Sequence, residues 1–370
     1  MCLKTIFLLF LSGSVLFQSA YGQDKKTGEK DDVIRVDTQL VDVPVVVTDK
    51  TGKPLLNLKA NNFNVFEDNN PQELAEFSAT TAPFEVALLL DTSGSTRSEL
   101  DLIRRSAQNF IDSLRPGDRV SIIAFDTERV NEKAAAMPKV LTGLTSDREK
   151  LRDALSRIGT SNGTPYYDSL IKIAETVFRD PPKDEYRGRR ALVALTDGVD
   201  STSATDFGEA QELLRKAGVL GFFIKVDTRP FFEENLLGDC ESATRFSQSQ
   251  IRRYYRTFNP KANVEKAASF CQLGDFERLA ISKKLYELAD EEMTSLAKAS
   301  AGRVFPVDDL SGARSAFKSV ADEIGTKYSL GYYSSNERRD GTYRRIRVEL
   351  KGLPVGSRVR AREGYTAPFK

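Results

Sequence analysis

The chain has 370 residues, with 54 lysines and arginines against 53 aspartates and glutamates and a net charge of +1. That balance gives no basic surplus to point to a nucleic acid, and the length favours two domains over one. Histidine is absent altogether, which excludes Ser-His-Asp and Cys-His catalysis and histidine-ligated zinc.

In chain order, Lys4 precedes an apolar run over residues 6–17, and Ala20-Tyr21-Gly22 offers small residues at a cleavage site. Residues 1–22 therefore read as a signal peptide cut before Gln23. The run is short for a bilayer span, so the mature protein is expected to be exported, periplasmic or extracellular, with no membrane span after cleavage. Residues 23–32 are charged and without apolar anchors, a flexible lead. Residues 33–82 read as an N-terminal β-module. Residues 33–36 and 39–48 alternate in strand fashion, 49–52 turn, and 63–68 and 76–78 suggest further strands.

From residue 84 the period changes. Residues 84–90 form a continuous apolar strand that stops at Asp91-Thr92-Ser93-Gly94-Ser95. A helical face follows at Leu100, Ile103, Ala107, Phe110 and Leu114, then a buried strand over 120–125. Ser146 to Glu149 fits a capping box before the next helix. Gly163-Thr164-Pro165 opens another helix, and a second apolar strand over 190–195 ends at Thr196-Asp197-Gly198. A helix around Leu213 leads to a strand over 221–226. Helices at 285–296 and 313–324 enclose a short strand at 303–305. Residues 229–284 break the pattern and read as an insertion. Their Cys240 and Cys271 are expected to pair in an exported protein, and their Arg252-Arg253-Tyr254-Tyr255-Arg256 reads as a solvated helix face. The tail returns to strands over 327–333, 343–350 and 358–362, with Asp340-Gly341 as a hairpin turn between the first two.

Alternating strands and helices predict an α/β fold, a Rossmann-like doubly wound, mostly parallel sheet over residues 84–325. The flanks, 33–82 and 326–370, are each too small to stand alone, so the expectation is one small β-sandwich made from both. Asp91 and Asp197 then sit at the carboxyl ends of strands, where such sheets bind ligands.

Carboxylate and hydroxyl oxygens on alternate residues of a tight loop suit a hard cation such as Mg²⁺ or Mn²⁺. An Asp-x-Ser-x-Ser arises by chance in roughly one chain in ten of this length, so its weight comes from its place after a strand. The loops resemble the metal-ion-dependent adhesion site of von Willebrand factor type A domains, with Asp91, Ser93, Ser95, Thr164 and Asp197 matching the family pattern. Residues 36–68, with Phe63-Asn64-Val65-Phe66-Glu67-Asp68, resemble the leader of exported A-domain proteins common in Acidobacteria. The tail segments Tyr328-Ser329-Leu330-Gly331-Tyr332-Tyr333 and Arg362-Glu363-Gly364-Tyr365 are similar to the end of the same proteins. The resemblance implies a non-enzymatic adhesion-type module whose metal bridges to a Glu or Asp carboxylate of a partner protein. Two other readings stand beside it: a scaffold acting through its β-sandwich with a structural metal, and a Mg²⁺-dependent phosphoryl hydrolase. The hydrolase reading lacks a second carboxylate two residues after Asp91 and a glycine-rich phosphate loop. The same loop would also serve if Asp91, Ser93 and Ser95 merely capped the helix that follows.

Overall fold

The computed structural model describes residues 40–78, 82–94, 99–130, 132–261 and 269–369. The signal segment, the charged lead, the strand expected at 33–36 and Ser95 lie outside the described residues. Among those described, no helix is long and apolar enough to cross a membrane.

Four strands come first: β1 (Leu40–Thr48), β2 (Phe63–Glu67), β3 (Asn70–Gln72) and β4 (Leu74–Ser78). Alternation along β1 turns Val41, Val43, Val45 and Val47 into one core. The central domain then runs through β5 (Glu85–Leu90), α1 (Leu100–Ser113), β6 (Arg119–Val130), β7 (Lys133–Thr145), α2 (Arg148–Ser156) and α3 (Tyr166–Lys172). It continues through β8 (Arg190–Thr196), α4 (Phe207–Lys216), β9 (Val219–Val226), α5 (Arg229–Glu234), α6 (Gln248–Phe258) and α7 (Asp275–Ala299). It closes with β10 (Arg303–Val307) and α8 (Ala313–Ile324). The tail adds β11 (Tyr328–Tyr333), β12 (Tyr343–Leu350), β13 (Arg358–Ala361) and β14 (Gly364–Thr366).

The central sheet has the order β10-β9-β8-β5-β6-β7, parallel except for β7. This is the doubly wound α/β architecture expected from the alternation. Along β5, Val86, Leu88 and Leu90 face the core covered by α1, α2 and α8, while Ala87 and Leu89 face the one covered by α3, α4 and α7. A strand buried on both faces has no polar side to show, which is why β5 after Glu85 and β8 between Arg190 and Thr196 read as apolar runs. From β5 the chain moves to β6 on one side and later returns to β8 on the other, so the winding reverses between β5 and β8.

The flanking strands form two four-stranded sheets, β13-β1-β11-β4 and β14-β12-β2-β3, around one shared core. In the first sheet β11 from the tail lies between β1 and β4, so the N-terminal strands cannot close a sheet without the C-terminal ones. The strands leading into and out of the central domain are antiparallel neighbours, with Ser78 opposite Ser329. Buried Arg189 fastens this junction, donating to the carbonyls of Ala82, Pro83 and Lys327.

Four local expectations are corrected. The edge strand β7 forms where no element was expected. Asp147 rather than Ser146 caps α2, accepting the N–H groups of Glu149 and Lys150. The tail hairpin at Asp340-Gly341 does not form: β11 pairs with β1 and β4, while β12 pairs with β2 and β14. Asp340 instead bridges to Phe369. Finally, α7 begins at Asp275, well inside the segment read as an insertion.

Candidate metal centre

Asp91 follows β5 directly and is 2 % exposed. Its Oδ2 accepts the Thr196 hydroxyl at 2.7 Å and its Oδ1 accepts the Ser93 N–H at 3.0 Å. Thr196 ends β8, the neighbouring strand, and its hydroxyl in turn accepts the N–H of Gly198 at 2.9 Å. Gly198 has φ +74°, and a Cβ there would lie 2.8 Å from the Met293 side chain. The turn after β8 therefore requires glycine. Helix α1 starts at Leu100 with Glu99 at its N-cap position. Asp91 and Ser93 stand several residues before Glu99, so neither occupies the N-cap position of α1.

Asp197 lies one residue past β8. Its Oδ1 accepts the Val199 N–H at 2.9 Å, and its Oδ2 accepts the Thr228 hydroxyl. The Thr228 oxygen lies 2.8 Å from the Tyr286 hydroxyl. Since the Thr228 proton points to the carboxylate, Tyr286 is the donor of that contact. The order Tyr286 to Thr228 to Asp197 fixes the carboxylate's orientation.

Thr164 belongs to the loop between α2 and α3, which is tied to both others. The Ser161 N–H donates to the Thr92 carbonyl at 2.7 Å, joining it to the first loop. The Thr164 N–H donates to Ser201 Oγ at 2.8 Å and the Ser201 N–H returns to the Thr164 carbonyl at 3.0 Å, joining it to the third. Asp200 accepts the Tyr166 N–H at 2.9 Å and so holds the start of α3 against the same loop. The structure thus brings Ser93, Thr164 and Asp197 to one cleft of about 540 Å³, with Asp91 buried beside it.

The electrostatics follow from this burial. Asp197 is pushed up to about 7, first by burial and then by the charge of Asp91, while burial also raises Asp91 itself. Asp200 is raised to about 6, again chiefly by burial. Two neighbouring buried carboxylates repel each other and are poorly solvated, a cost that a divalent cation offsets. Among the described residues no group of three or more Cys, Asp or Glu side chains gathers to hold a metal. The donors here are two carboxylates and neutral hydroxyls, all hard oxygens, which fit Mg²⁺ or Mn²⁺ rather than a softer ion.

The insertion builds the wall of this cleft. It has its own core, including Leu236, Phe246, Ile251, Tyr255, Phe270 and Leu273, and a Cys240–Cys271 disulfide with a Cα–Cα distance of 5.2 Å. Ser247 Oγ and Ser249 Oγ both donate to the Ser201 carbonyl, fastening it to the third loop. Phe231, Phe232, Phe246 and Tyr286 line the cleft on that side. The basic-aromatic segment is only partly the solvated face expected. Arg252 and Arg256 are exposed, but Tyr255 is buried, and Arg253 bonds Glu292 at 2.5 Å with its guanidinium 4.8 Å over the Tyr167 ring.

Thr196, Thr228, Asp200 and Ser201 were not singled out in the sequence. They orient the metal-loop residues from behind, and nothing in the spacing marks them. Thr228 meets Asp197 across 31 residues of chain.

The family model of the von Willebrand factor type A domain matches residues 86–199, from β5 through the loop after β8. Among solved structures, the conserved hypothetical protein BatB from Bacteroides thetaiotaomicron is 19% identical, with 65% of this chain and 97% of that one covered and a TM-score of 0.38. Proximal thread matrix protein 1 from the mussel byssus is 14% identical over 74% of this chain, which spans 51% of that protein's chain, with a TM-score of 0.43. A von Willebrand factor type A protein from Catenulispora acidiphila is 12% identical, covering 90% and 75% of the two chains, with a TM-score of 0.42. No curated protein matches the chain. The central domain has the von Willebrand factor type A fold.

Proposed function

We propose that this chain is an exported protein-binding module that holds Mg²⁺ or Mn²⁺ on Asp91, Ser93, Ser95, Thr164 and Asp197. The ion then bridges to an aspartate or glutamate carboxylate of a partner protein. The observation that carries the reading is the meeting of Ser93, Thr164 and Asp197 in one cleft, from three loops cross-tied by backbone hydrogen bonds. Von Willebrand factor type A domains are in general interaction modules that bind protein partners, and the donor set here suits that role. An ion held largely by neutral hydroxyls keeps strong electrophilic pull toward an incoming carboxylate. Within the chain, Thr196 and Thr228 hold Asp91 and Asp197 in place, which lowers the reorganisation needed when the ion enters.

Calorimetric titration of Mg²⁺ and Mn²⁺ into EDTA-stripped mature protein tests this. Saturable binding of one ion is expected, lost on Asp91→Ala. Thr228→Val, which removes the hydrogen bond to Asp197 and the acceptor of the Tyr286 hydroxyl, is expected to weaken binding about tenfold. A folded wild type that takes up neither ion would sink the reading.

A further inference from the structure

The geometry points to a more specific ligand for this cleft: an extended peptide segment carrying an acidic side chain with an aromatic side chain beside it. This rests on the metal site proposed above and adds what the insertion contributes. The floor of the cleft is polar, with Ser93, Thr164 and Asp197, and the carboxylate belongs there. One wall is aromatic, and Phe231 on that wall is 57% exposed, a large apolar side chain held beside a charged site with its face uncovered. At the rim, the Arg245 guanidinium bonds only the carbonyls of Cys240 and Glu241, and no carboxylate among the described residues pairs with it.

Each of these features selects. A cation site with an arginine at its rim favours a negatively charged segment by charge complementarity. The aromatic wall rewards an apolar neighbour of the acidic residue, because the cleft can cover a ring that would otherwise stay in water. A recess of about 540 Å³ holds a few residues of chain. The wall is also set in advance. The Cys240–Cys271 disulfide fixes the residue whose carbonyl receives Arg245, so little order has to be created on binding.

The test uses full-length mature protein and three amidated peptides: acetyl-Gly-Asp-Phe-amide, acetyl-Gly-Asp-Ala-amide and acetyl-Gly-Asn-Phe-amide. Mn²⁺ affinity is read separately by electron paramagnetic resonance, and peptide binding by calorimetry in Mn²⁺ and in EDTA. The Asp-Phe peptide is expected to bind only with Mn²⁺, the Asn-Phe peptide not to bind, and the Asp-Ala peptide to bind about tenfold more weakly than Asp-Phe. Phe231→Ala should abolish that tenfold preference while binding Mn²⁺ as the wild type does. Arg245→Gln should weaken both aspartyl peptides severalfold and leave the preference intact. If Mn²⁺ binds but the Asp-Phe and Asp-Ala peptides bind equally, or neither binds, this inference fails and the metal reading survives. If the wild type takes up no Mn²⁺, both fall.

Discussion

Glu67→Leu is expected to lower the unfolding free energy by about 3–5 kcal/mol, the usual cost of removing one partner from a buried ion pair. Glu67 ends β2 and is 2 % exposed. Its carboxylate receives Arg344 at 3.2 Å, Tyr332 at 2.8 Å, Tyr365 at 2.9 Å and Ser334 at 2.6 Å. All four donors come from the tail, while the acceptor comes from the N-terminal flank, so this one carboxylate joins the two ends of the chain inside the sandwich. Leucine would leave the Arg344 charge buried beside three hydroxyls that have lost their acceptor. Arg344→Met in the same protein should recover much of the loss, because removing both charges avoids the uncompensated one. Urea unfolding of both variants is the measurement. A loss of under about 1 kcal/mol in the single variant would show that the network is not a principal contributor. Mn²⁺ affinity should be unchanged throughout, since the network lies in the sandwich and the metal loops lie in the central domain.

How much of this was legible depends on whether a residue's partners are local. β5 and β8 were readable because both faces are covered and every residue is apolar or buried. The tie between the flanks was readable from size alone, since neither could fill a core by itself. β7 was not readable. It lies at the edge of the sheet beside β6, its burial alternates irregularly, and Pro138 and Lys139 break the apolar pattern of its sequence. Asp340-Gly341 carries a strong turn signal, and Gly341 does take a positive φ of 68°. A turn signal cannot say which strands its arms will join, and here the arms go to different sheets. The start of α7 was hidden because the helix serves two cores. Ile281 and Leu285 pack into the insertion, whereas Met293, Leu296 and Ala297 pack under the central sheet, so no single apolar stripe runs its length.

The same distinction holds in the cleft. The residues proposed to meet the ion are short polar side chains, after strands for Asp91, Ser93 and Asp197 and before a helix for Thr164, and their pattern carries the signal. Thr196 and Thr228 act on the carboxylates of Asp91 and Asp197, and a single threonine is too common to stand out. The aromatic wall was invisible for a different reason. Phe231, Phe246 and Tyr286 are spread over α5, the loop before α6 and α7, and only the packing of the insertion against Ser201 brings them together.

Lys327→Met is expected to raise stability near neutral pH, because it removes a desolvated charge while Glu323 keeps Arg360 and Arg303 as partners. Lys327 is 0% exposed at the passage from α8 into β11. Its Nζ donates to the Ala301 carbonyl at 2.8 Å, lies 5.0 Å from the centre of the Phe222 ring and stands 4.0 Å from Glu323. Glu323 is already engaged by Arg360 and Arg303, so its one negative charge serves three cations. Burial outweighs what remains for the lysine and lowers it to about 7. In the unfolded chain the same lysine titrates near 10.4. Between about pH 7 and pH 10 the unfolded state therefore binds a proton that the folded state has released. Stability contributed by this group rises with pH across that window, on the order of 4–5 kcal/mol in full. Below pH 7 both states hold the proton and the burial cost stands undiminished. Urea unfolding of wild type and Lys327→Met at a series of pH values reads the effect, because groups that do not interact with Lys327 cancel in the difference. The two curves should converge as pH rises, and parallel curves would disprove the assignment. Since Arg189 also bonds the Lys327 carbonyl, the convergence would report on the junction that carries the central domain on its sandwich.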